Sequence, residues 1–252
     1  MRGLKDRLRA SGIHLGISAG VALLAAALVF LLWYPAPFDT IVGGRGLFVL
    51  VVTVDVILGP LITFAVFNRA KPWTELRRDL AIVGMIQCAG LAYGLWTVAQ
   101  VRPVHVVFEI DRLRVVSAVD VPDELLARVP AGQARLPWTG PTLMAARPLQ
   151  PGQEHMEYTM AALQGVQIGF RPELWQPYES ARTPVLAEAR PVADLRRRKA
   201  AQAAKLDAGV AATGRSAAEL VYLPLVSRQQ FWTALIDARD ARVLAYVDLD
   251  PY

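Results

Sequence analysis

Three long apolar segments dominate the first part of the chain. They cover residues 13–34, 47–67 and 80–101. Each holds the roughly 20 residues that a helix needs to cross a bilayer core of about 30 Å. The first and third carry no formal charge, whereas the second contains Asp55. We therefore predict three transmembrane helices in a domain of residues 1–101.

A cleaved signal peptide also begins with basic residues followed by an apolar run. The first segment is longer than the roughly 7–15 apolar residues of such peptides. It ends at Trp33-Tyr34-Pro35-Ala36-Pro37, which contains no A-x-A cleavage site. We expect it to be retained as a membrane helix.

The flanks of the three segments differ in basic content. Lys and Arg number four in residues 1–12, one in residues 35–46 and four in residues 68–79. Because Lys and Arg concentrate on the cytoplasmic side, this pattern predicts a cytoplasmic N-terminus. Three crossings then place residues 102–252 in the periplasm of a Gram-negative cell.

Beyond residue 102 the apolar runs shorten to the lengths of strands and soluble helices. Residues 103–110 and 113–118 predict a hairpin or one bulged strand. Residues 129–152 contain five prolines and predict a loop. The C-terminal part predicts an antiparallel meander of three strands at 220–226, 231–236 and 242–249.

Helices are predicted at three places in this half. Pro122-Asp123-Glu124 is typical of a helix start. In residues 153–163, Met156, Met160 and Leu163 recur at helical spacing, and residues 194–206 are rich in alanine and long basic side chains. The fold class is therefore three N-terminal transmembrane helices followed by a periplasmic α+β domain of residues 102–252.

Composition narrows the class further. Hydrophobic residues make up 54% of the chain and charged residues 19%, which excludes a disordered chain or a collagen-like repeat. Cys88, the only cysteine, lies in the third apolar segment, so the exported domain has no disulfide to form. We expect Cys88 to be a small packing residue.

Most of the net charge of +5 lies in the predicted membrane domain, where basic residues indicate the orientation of the helices. Residues 1–101 hold nine basic and five acidic residues, whereas residues 102–252 hold 18 and 17. The one dense basic run is Arg196-Arg197-Arg198-Lys199. It could bind acidic partners or anionic headgroups, although a solvated helix face is favoured because adjacent residues do not share one face. No aromatic or zinc pattern supports nucleic-acid binding.

Small residues mark candidate helix–helix contacts in the membrane. Gly12, Gly16 and Gly20 recur every four residues in the first helix, and Gly90 and Gly94 do so in the third. Close packing of helices in lipid uses such spacing. The contacts are either internal to the three-helix unit, which we favour, or made with another protein.

Asp55 is the candidate polar site of the membrane half. A carboxylate near the bilayer centre costs about 2.5–3.5 kcal/mol on insertion scales, so it needs a partner. By helical rise Asp55 lies about 18 Å from the inner end of its segment and Tyr93 about 20 Å, so we predict a Tyr93–Asp55 hydrogen bond. Gln87, at about 10 Å, is a weaker candidate by the same rise. The alternative partner is a polar group from another membrane helix.

Gly59-Pro60 follows Asp55 by one turn. The proline removes a backbone donor and frees carbonyl oxygens, which produces either a small polar notch or merely a bend.

No catalytic constellation is present in the sequence. Phosphate-loop, dinucleotide, zinc-protease and nucleophile-elbow motifs are all missing. Glu154-His155-Met156-Glu157 has too few ligand residues for a metal site. Asp248-Leu249-Asp250 resembles the D-x-D of metal-binding glycosyltransferases but has no nucleotide-binding unit around it. We predict no catalytic residue, metal or cofactor.

Ordered short matches across residues 11–120 resemble the TfpX/TfpZ family of type IV pilin accessory proteins. The matching residues are, in order, His14-Leu15, Trp33-Tyr34-Pro35-Ala36-Pro37-Phe38, Asp55-Val56-Ile57-Leu58-Gly59-Pro60, Phe67-Asn68, Lys71-Pro72, Arg78-Asp79-Leu80, Tyr93-Gly94, Arg102-Pro103-Val104 and Phe108-Glu109-Ile110-Asp111-Arg112. The likeness weakens after residue 120.

The resemblance implies a non-enzymatic inner-membrane partner of a cognate major pilin, which assists its stability, assembly or display. On this view the glycine faces and the Asp55–Pro60 notch contact the pilin helix, and residues 103–252 contact its globular head. Two alternatives stay open: an enzyme that modifies pilin or lipid and uses Asp248 and Asp250, and a periplasmic sensor that signals through a separate partner.

Overall fold

The computed structural model of the chain describes residues 2–130, 132 and 135–252. These residues form two compact units, which divide between Val101 and Arg102. Each unit has its own core, and each is described by itself below.

Four helices build the N-terminal unit. They are α1 (Arg2–Ala27), which continues as a π-helical turn over Leu28–Trp33, α2 (Phe38–Ile41), α3 (Gly44–Val66) and α4 (Trp73–Gln100). Three of these helical segments are long and apolar enough to cross a membrane: Gly3–Trp33, Gly44–Val66 and Trp73–Gln100. The prediction of three such helices is confirmed.

Two of the helices begin earlier than predicted. The first starts at Arg2 and not near residue 13, and α4 starts at Trp73 and not near residue 80. Leu, Lys, Arg and Glu are good helix formers, so the polar flanks extend the apolar helices. Pro72 precedes the first residue of α4 with φ −53°, a backbone angle already suited to a helix start.

A cluster of aromatic and aliphatic side chains joins α1, α3 and α4 at one end of this unit. Tyr34 is fully buried there, and its hydroxyl donates a hydrogen bond of 2.6 Å to the Val98 carbonyl. A Cβ at Gly44 would overlap the Tyr34 ring, so glycine is needed where α3 begins. Arg45, in the first turn of α3, pairs with the buried Asp39 of α2 at 2.7 Å.

The C-terminal unit is a mixed eight-stranded sheet with helices, so the α+β prediction is confirmed. The strands are β1 (Pro103–Glu109), β2 (Arg112–Ser117), β3 (Thr142–Ala146), β4 (Trp175–Pro177), β5 (Arg190–Pro191), β6 (Leu220–Val226), β7 (Phe231–Asp237) and β8 (Val243–Val247). Their order is β4-β3-β1-β2-β6-β7-β8, and β5 pairs with β6.

Local hairpins and long-range parallel pairs both contribute to this sheet. The antiparallel pairs β1–β2, β6–β7 and β7–β8 confirm the predicted hairpin and meander. The two parallel pairs are β1–β3 and β2–β6. They join segments that are distant in sequence.

The loop predicted over residues 129–152 is wrong in its middle. Thr142–Ala146 forms β3, which pairs with His105–Phe108 of β1. The strand fits between Pro141 and Pro148 and contains no proline itself, so nothing in it prevents pairing with β1.

Five helices accompany the sheet. They are α5 (Asp123–Leu126), α6 (Gln153–Leu163), α7 (Arg182–Glu188), α8 (Val192–Arg198) and α9 (Ala203–Ala212). The helix predicted at 153–163 is confirmed, but its buried side chain is Tyr158, whereas Met156, Met160 and Leu163 are exposed. The helical spacing of these three therefore marks the outer face.

The helix predicted over residues 194–206 is wrong as a single element. It breaks after Arg198 and passes through a 3-10 turn at Ala200–Gln202 before α9. Leu195 and Leu206 lie in one buried cluster with Tyr222 and Leu235. In a straight helix they would lie about 16 Å apart along the axis, so the break brings both into one core.

Candidate functional site

Asp55 lies at the middle of α3, as the twelfth of its 23 residues. Gln87 of α4 donates through Nε2 to the Asp55 backbone carbonyl at 3.0 Å and to carboxylate Oδ1 at 3.4 Å. The predicted partner, Tyr93, instead leaves 69% of its surface exposed and stacks against Trp96 with 5.8 Å between ring centroids. The Tyr93–Asp55 prediction is wrong.

The start of α4 explains this error. The prediction places the start of this helix at residue 80, whereas α4 begins at Trp73. Counted from Trp73, Gln87 lies about 21 Å along the helix and Tyr93 about 30 Å. Asp55 lies about 17 Å from the end of α3 at Val66, which is closer to the depth of Gln87 than to that of Tyr93.

Two of the candidate glycines make the α3–α4 contact possible. A Cβ at Gly59 would overlap the Gln87 side-chain amide, and a Cβ at Gly94 would overlap the side chain of Val51. Glycine at these positions therefore lets α4 approach the backbone of α3 closely. The favoured interpretation, packing within the unit, describes Gly94, and Gly59, which was considered only with Pro60, makes the same kind of contact.

The remaining candidate glycines have open surroundings. A Cβ added to Gly12, Gly16, Gly20 or Gly90 would lie in open space. Apart from the neighbouring residues in the chain and the nearby backbone of the same helix, no heavy atom of the described residues lies within 4 Å of it. The internal packing favoured for these four is therefore not found in the described residues. Gly12, Gly16 and Gly20 remain as an open stripe on α1.

A different face of α1 packs on α3, through polar groups. Ser11 Oγ donates to the Pro60 carbonyl at 2.8 Å, and His14 Nδ1 lies 2.5 Å from Thr63 Oγ1. Ser18, on the same face, is buried. This polar contact between α1 and α3 was not predicted from the sequence. The polar residues at positions 11, 14 and 18 follow helical spacing, so they could have indicated a polar face of α1.

Pro60 is buried and lies inside α3, which continues to Val66. Its carbonyl is already occupied by Ser11. The face of α3 that carries Asp55 and borders α4 is the open side of the site.

That open side is a groove of about 410 Å³ between α3 and α4. Its lining is mostly apolar, and Leu50, Val54, Leu58 and Ile86 are among the residues that form it. The polar side chains that line it are those of Asp55, Gln87, Tyr93 and Thr97.

The Asp55 carboxylate accepts fewer hydrogen bonds in the groove than its two oxygens can. Thr97 Oγ1 donates to the Tyr93 carbonyl at 3.0 Å, away from Asp55. In the part of the chain that the structure describes, Asp55 Oδ2 accepts no hydrogen bond, and Oδ1 accepts only the long one from Gln87. The groove can therefore still receive a donor.

The acidic residues considered above as possible metal ligands in the C-terminal unit form hydrogen bonds or ion pairs with nearby groups. Asp248 accepts from Lys205 Nζ at 2.8 Å, and Asp250 accepts from the Tyr252 backbone N–H at 2.9 Å. Glu154 forms a two-point ion pair with Arg147. The described residues contain no group of three His, Cys, Asp or Glu that could hold a metal.

The basic run is likewise engaged in local contacts. Arg196 pairs with Asp207 at 2.8 Å, and Arg197 pairs with Asp194. The third arginine of the run, Arg198, donates to the Pro251 carbonyl at 3.1 Å. Arg196, Arg197 and Arg198 are exposed, as the favoured solvated helix face predicts. The contacts of Arg196 and Arg198 also join α8 to α9 and to the C-terminal residues.

His105 is the buried histidine of the sheet. Its Nδ1 lies 2.6 Å from Thr142 Oγ1 and its Nε2 lies 2.9 Å from the Arg135 carbonyl. Burial lowers the pKa of His105 to about 4, so the ring is neutral near pH 7. A neutral ring with both nitrogens engaged ties β1 to β3 and to Arg135, and it leaves no nitrogen for catalysis.

Comparison with known proteins gives a consistent result. The family model of the fimbrial assembly protein FimB matches residues 2–43. The chain is 34% identical over 245 residues to a fimbrial assembly protein of serogroup I from Dichelobacter nodosus, which covers 96% of this chain and 95% of that protein. The chain belongs to the fimbrial assembly protein family.

Other members of the fimbrial assembly protein family from Dichelobacter nodosus are also similar. A serogroup E1 protein is 34% identical over 96% of this chain and 95% of its own length. A protein of serogroups C1 and C2 is 41% identical over 44% of this chain and 85% of its own length. No solved structure matches the chain.

Proposed function

We propose that this fimbrial assembly protein is a non-enzymatic inner-membrane accessory protein for type IV pili, which assists the stability, assembly or display of a cognate major pilin. One observation carries the proposal: similarity to proteins called fimbrial assembly proteins extends over 96% of the chain and thus includes both units. The TfpX/TfpZ resemblance of residues 11–120 supports the finer assignment to pilin accessory proteins.

The proposed topology has a cytoplasmic N-terminus and a periplasmic C-terminal unit. The distribution of Lys and Arg around the three helices supports it. The single basic residue of the outer connection, Arg45, is paired with Asp39 and so adds little positive charge there. This arrangement provides a membrane face and a periplasmic face for a membrane-held pilin.

We propose two membrane surfaces for contact with the pilin helix. One is the open stripe of Gly12, Gly16 and Gly20 on α1. The other is the α3–α4 groove, in which Asp55, Gly90 and Tyr93 face the partner. Gly59 and Gly94 are buried and line the floor of this groove, whereas Pro60 is buried outside it.

Deletion of the gene tests the proposal. We expect surface pili, counted by electron microscopy and by shearing, to fall sharply and to return on complementation with the full chain. Pilin in whole cells, measured by immunoblot, separates a stability role from an assembly role. Unchanged surface pili in the deletion strain would contradict the proposal.

The mass of pilin in the same strains addresses the enzyme alternative. We expect pilin of identical mass with and without the protein. A mass difference that disappears with Asp248→Asn would favour a modifying enzyme instead.

A further inference from the structure

The Asp55 carboxylate is a polar group with an incomplete set of donors. In a bilayer core no water is available to complete it, so an unsatisfied carboxylate is costly there. Gln87 gives its shorter bond to the backbone carbonyl and only a 3.4 Å contact to the carboxylate. A donor from outside the three helices would satisfy the remaining oxygen.

The chain's own spans supply no Lys or Arg to complement the charge of the carboxylate. The three apolar segments contain no Lys or Arg, so a second copy of the chain would bring no cation to the site. His14 is held at Thr63, and Thr97 donates to a backbone carbonyl. A Lys or Arg that complements the charge of Asp55 must therefore come from a partner with a different sequence.

The form of the groove suits a helix better than a lipid chain. The missing side chain of Gly90 leaves the α4 wall open, which permits close approach of a helix backbone. An acyl chain carries no hydrogen-bond donor. Lipid headgroups lie at the bilayer surface, about 17 Å from the midpoint of a helix of this length.

We infer that the α3–α4 groove receives a transmembrane helix of another protein, which presents a hydrogen-bond donor to Asp55 at the middle of the bilayer. The inference rests on the proposed function in placing α3 and α4 in a membrane. It specifies the chemistry of the partner helix at the groove and makes no claim about the glycine stripe of α1.

Site-specific photo-crosslinking in native membranes tests this inference. The full chain carries p-benzoylphenylalanine in place of Leu58 or Ile86, which line the groove, or of Met85, an exposed residue of α4 outside it. We expect a discrete protein adduct from Leu58 and Ile86 and none from Met85. Lipid adducts alone at both groove positions would overturn the inference.

The decisive measurement is whether the yield of the crosslinked adduct depends on Asp55. Asp55→Leu should reduce the adduct at least about tenfold, the change that about 1.4 kcal/mol of binding free energy produces. Asp55→Asn keeps the size of the side chain and an acceptor oxygen, so it should retain more adduct than Asp55→Leu. Thr53→Val, at an exposed polar residue of α3 outside the groove, should leave the yield unchanged. Equal yields from wild type, Asp55→Asn and Asp55→Leu would overturn the inference.

The partner's residue completes the test. Mass spectrometry of the adduct identifies the partner helix, and replacing its donor residue near mid-membrane with leucine should reduce the adduct to the Asp55→Leu level. No reduction would overturn the hydrogen bond. An Asp55-dependent adduct with a helix other than pilin would support the groove while contradicting its assignment to pilin, and normal piliation after gene deletion would contradict only the proposed function.

Discussion

The side-chain amide of Gln87 occupies the space that a Cβ at Gly59 would fill. The same amide donates to Asp55 one turn earlier on α3. Gly59 leaves the space and Gln87 fills it, and together they make one contact that holds α3 and α4 together at mid-length.

Substitution of Gly59 should break this contact. We expect Gly59→Ala to lower the stability of the full chain in detergent by about 1–3 kcal/mol, because the added methyl displaces the Gln87 amide. Gly90→Ala is the matched control, since it adds the same methyl in open space. Thermal unfolding followed by circular dichroism should show lower stability for Gly59→Ala alone. Equal melting temperatures for the two variants would contradict the role of Gly59.

The buried His105 makes stability depend on pH. Its pKa is about 4 in the folded protein against an ordinary value of 6.5, so the unfolded chain binds the extra proton first. Stability should therefore be unaffected above pH 6.5 and fall between pH 6.5 and about 4, by at most about 3 kcal/mol. Chemical unfolding of wild type and His105→Gln across this range measures the difference. Parallel pH profiles would contradict the prediction.

The pair formed by Asp120 and Arg228 links residues that are far apart in sequence. The Asp120 side chain is 1% exposed and accepts from Arg228 Nε at 2.8 Å and from the Ser117 backbone N–H at 2.8 Å. Arg228→Met should cost about 2–4 kcal/mol, because it leaves a buried carboxylate without its cation. Arg197→Met, which removes an exposed pair with Asp194, should cost less than about 1 kcal/mol in the same unfolding assay. Similar losses for both variants would be contrary to expectation.

The two faces of α6 should respond differently to substitution. Tyr158→Ala should destabilise the protein by about 3 kcal/mol, because its ring is buried. Met160→Ser should change stability by less than about 0.5 kcal/mol, because Met160 is 52% exposed. A larger loss from Met160→Ser than from Tyr158→Ala, measured by thermal unfolding, would show that α6 packs through its other face.

Reporter fusions test the proposed topology. Alkaline phosphatase fused after Tyr252 should be active, because it folds only outside the cytoplasm. Green fluorescent protein fused at Asn68, between α3 and α4, should fluoresce, because this connection is proposed to be cytoplasmic. The reverse pair of signals would invert the orientation and remove the periplasmic face from the proposed function.

Several features were predictable from local sequence. Three membrane-capable helices follow from counts of apolar residues and from helical rise, which need no tertiary information. The hairpin at β1 and β2 and the meander of β6, β7 and β8 follow from alternating strands joined by short turns. Such pairs form between neighbours, so local pattern is sufficient for them.

Other features depend on contacts between distant residues. Strand β3 exists because β1 pairs with it, and the break between α8 and α9 exists because Leu195 and Leu206 share one core. The outward face of α6 depends on which surface the sheet covers. None of these contacts changes the local pattern of apolar residues. Proline content therefore predicted a loop where β3 forms, and alanine content predicted one helix where α8 and α9 form.

The candidate site divides in the same way. The position of Asp55 at the middle of an apolar helix, and its need for a partner, follow from local sequence, because a charge in an apolar span is costly wherever the helix packs. That Gln87 is this partner, that Gly59 makes room for it, and that Gly12, Gly16 and Gly20 stay open became visible in the packed helices. All the contacts of packed helices together set their rotation and longitudinal offset, whereas depth along a single helix is a property of its own sequence.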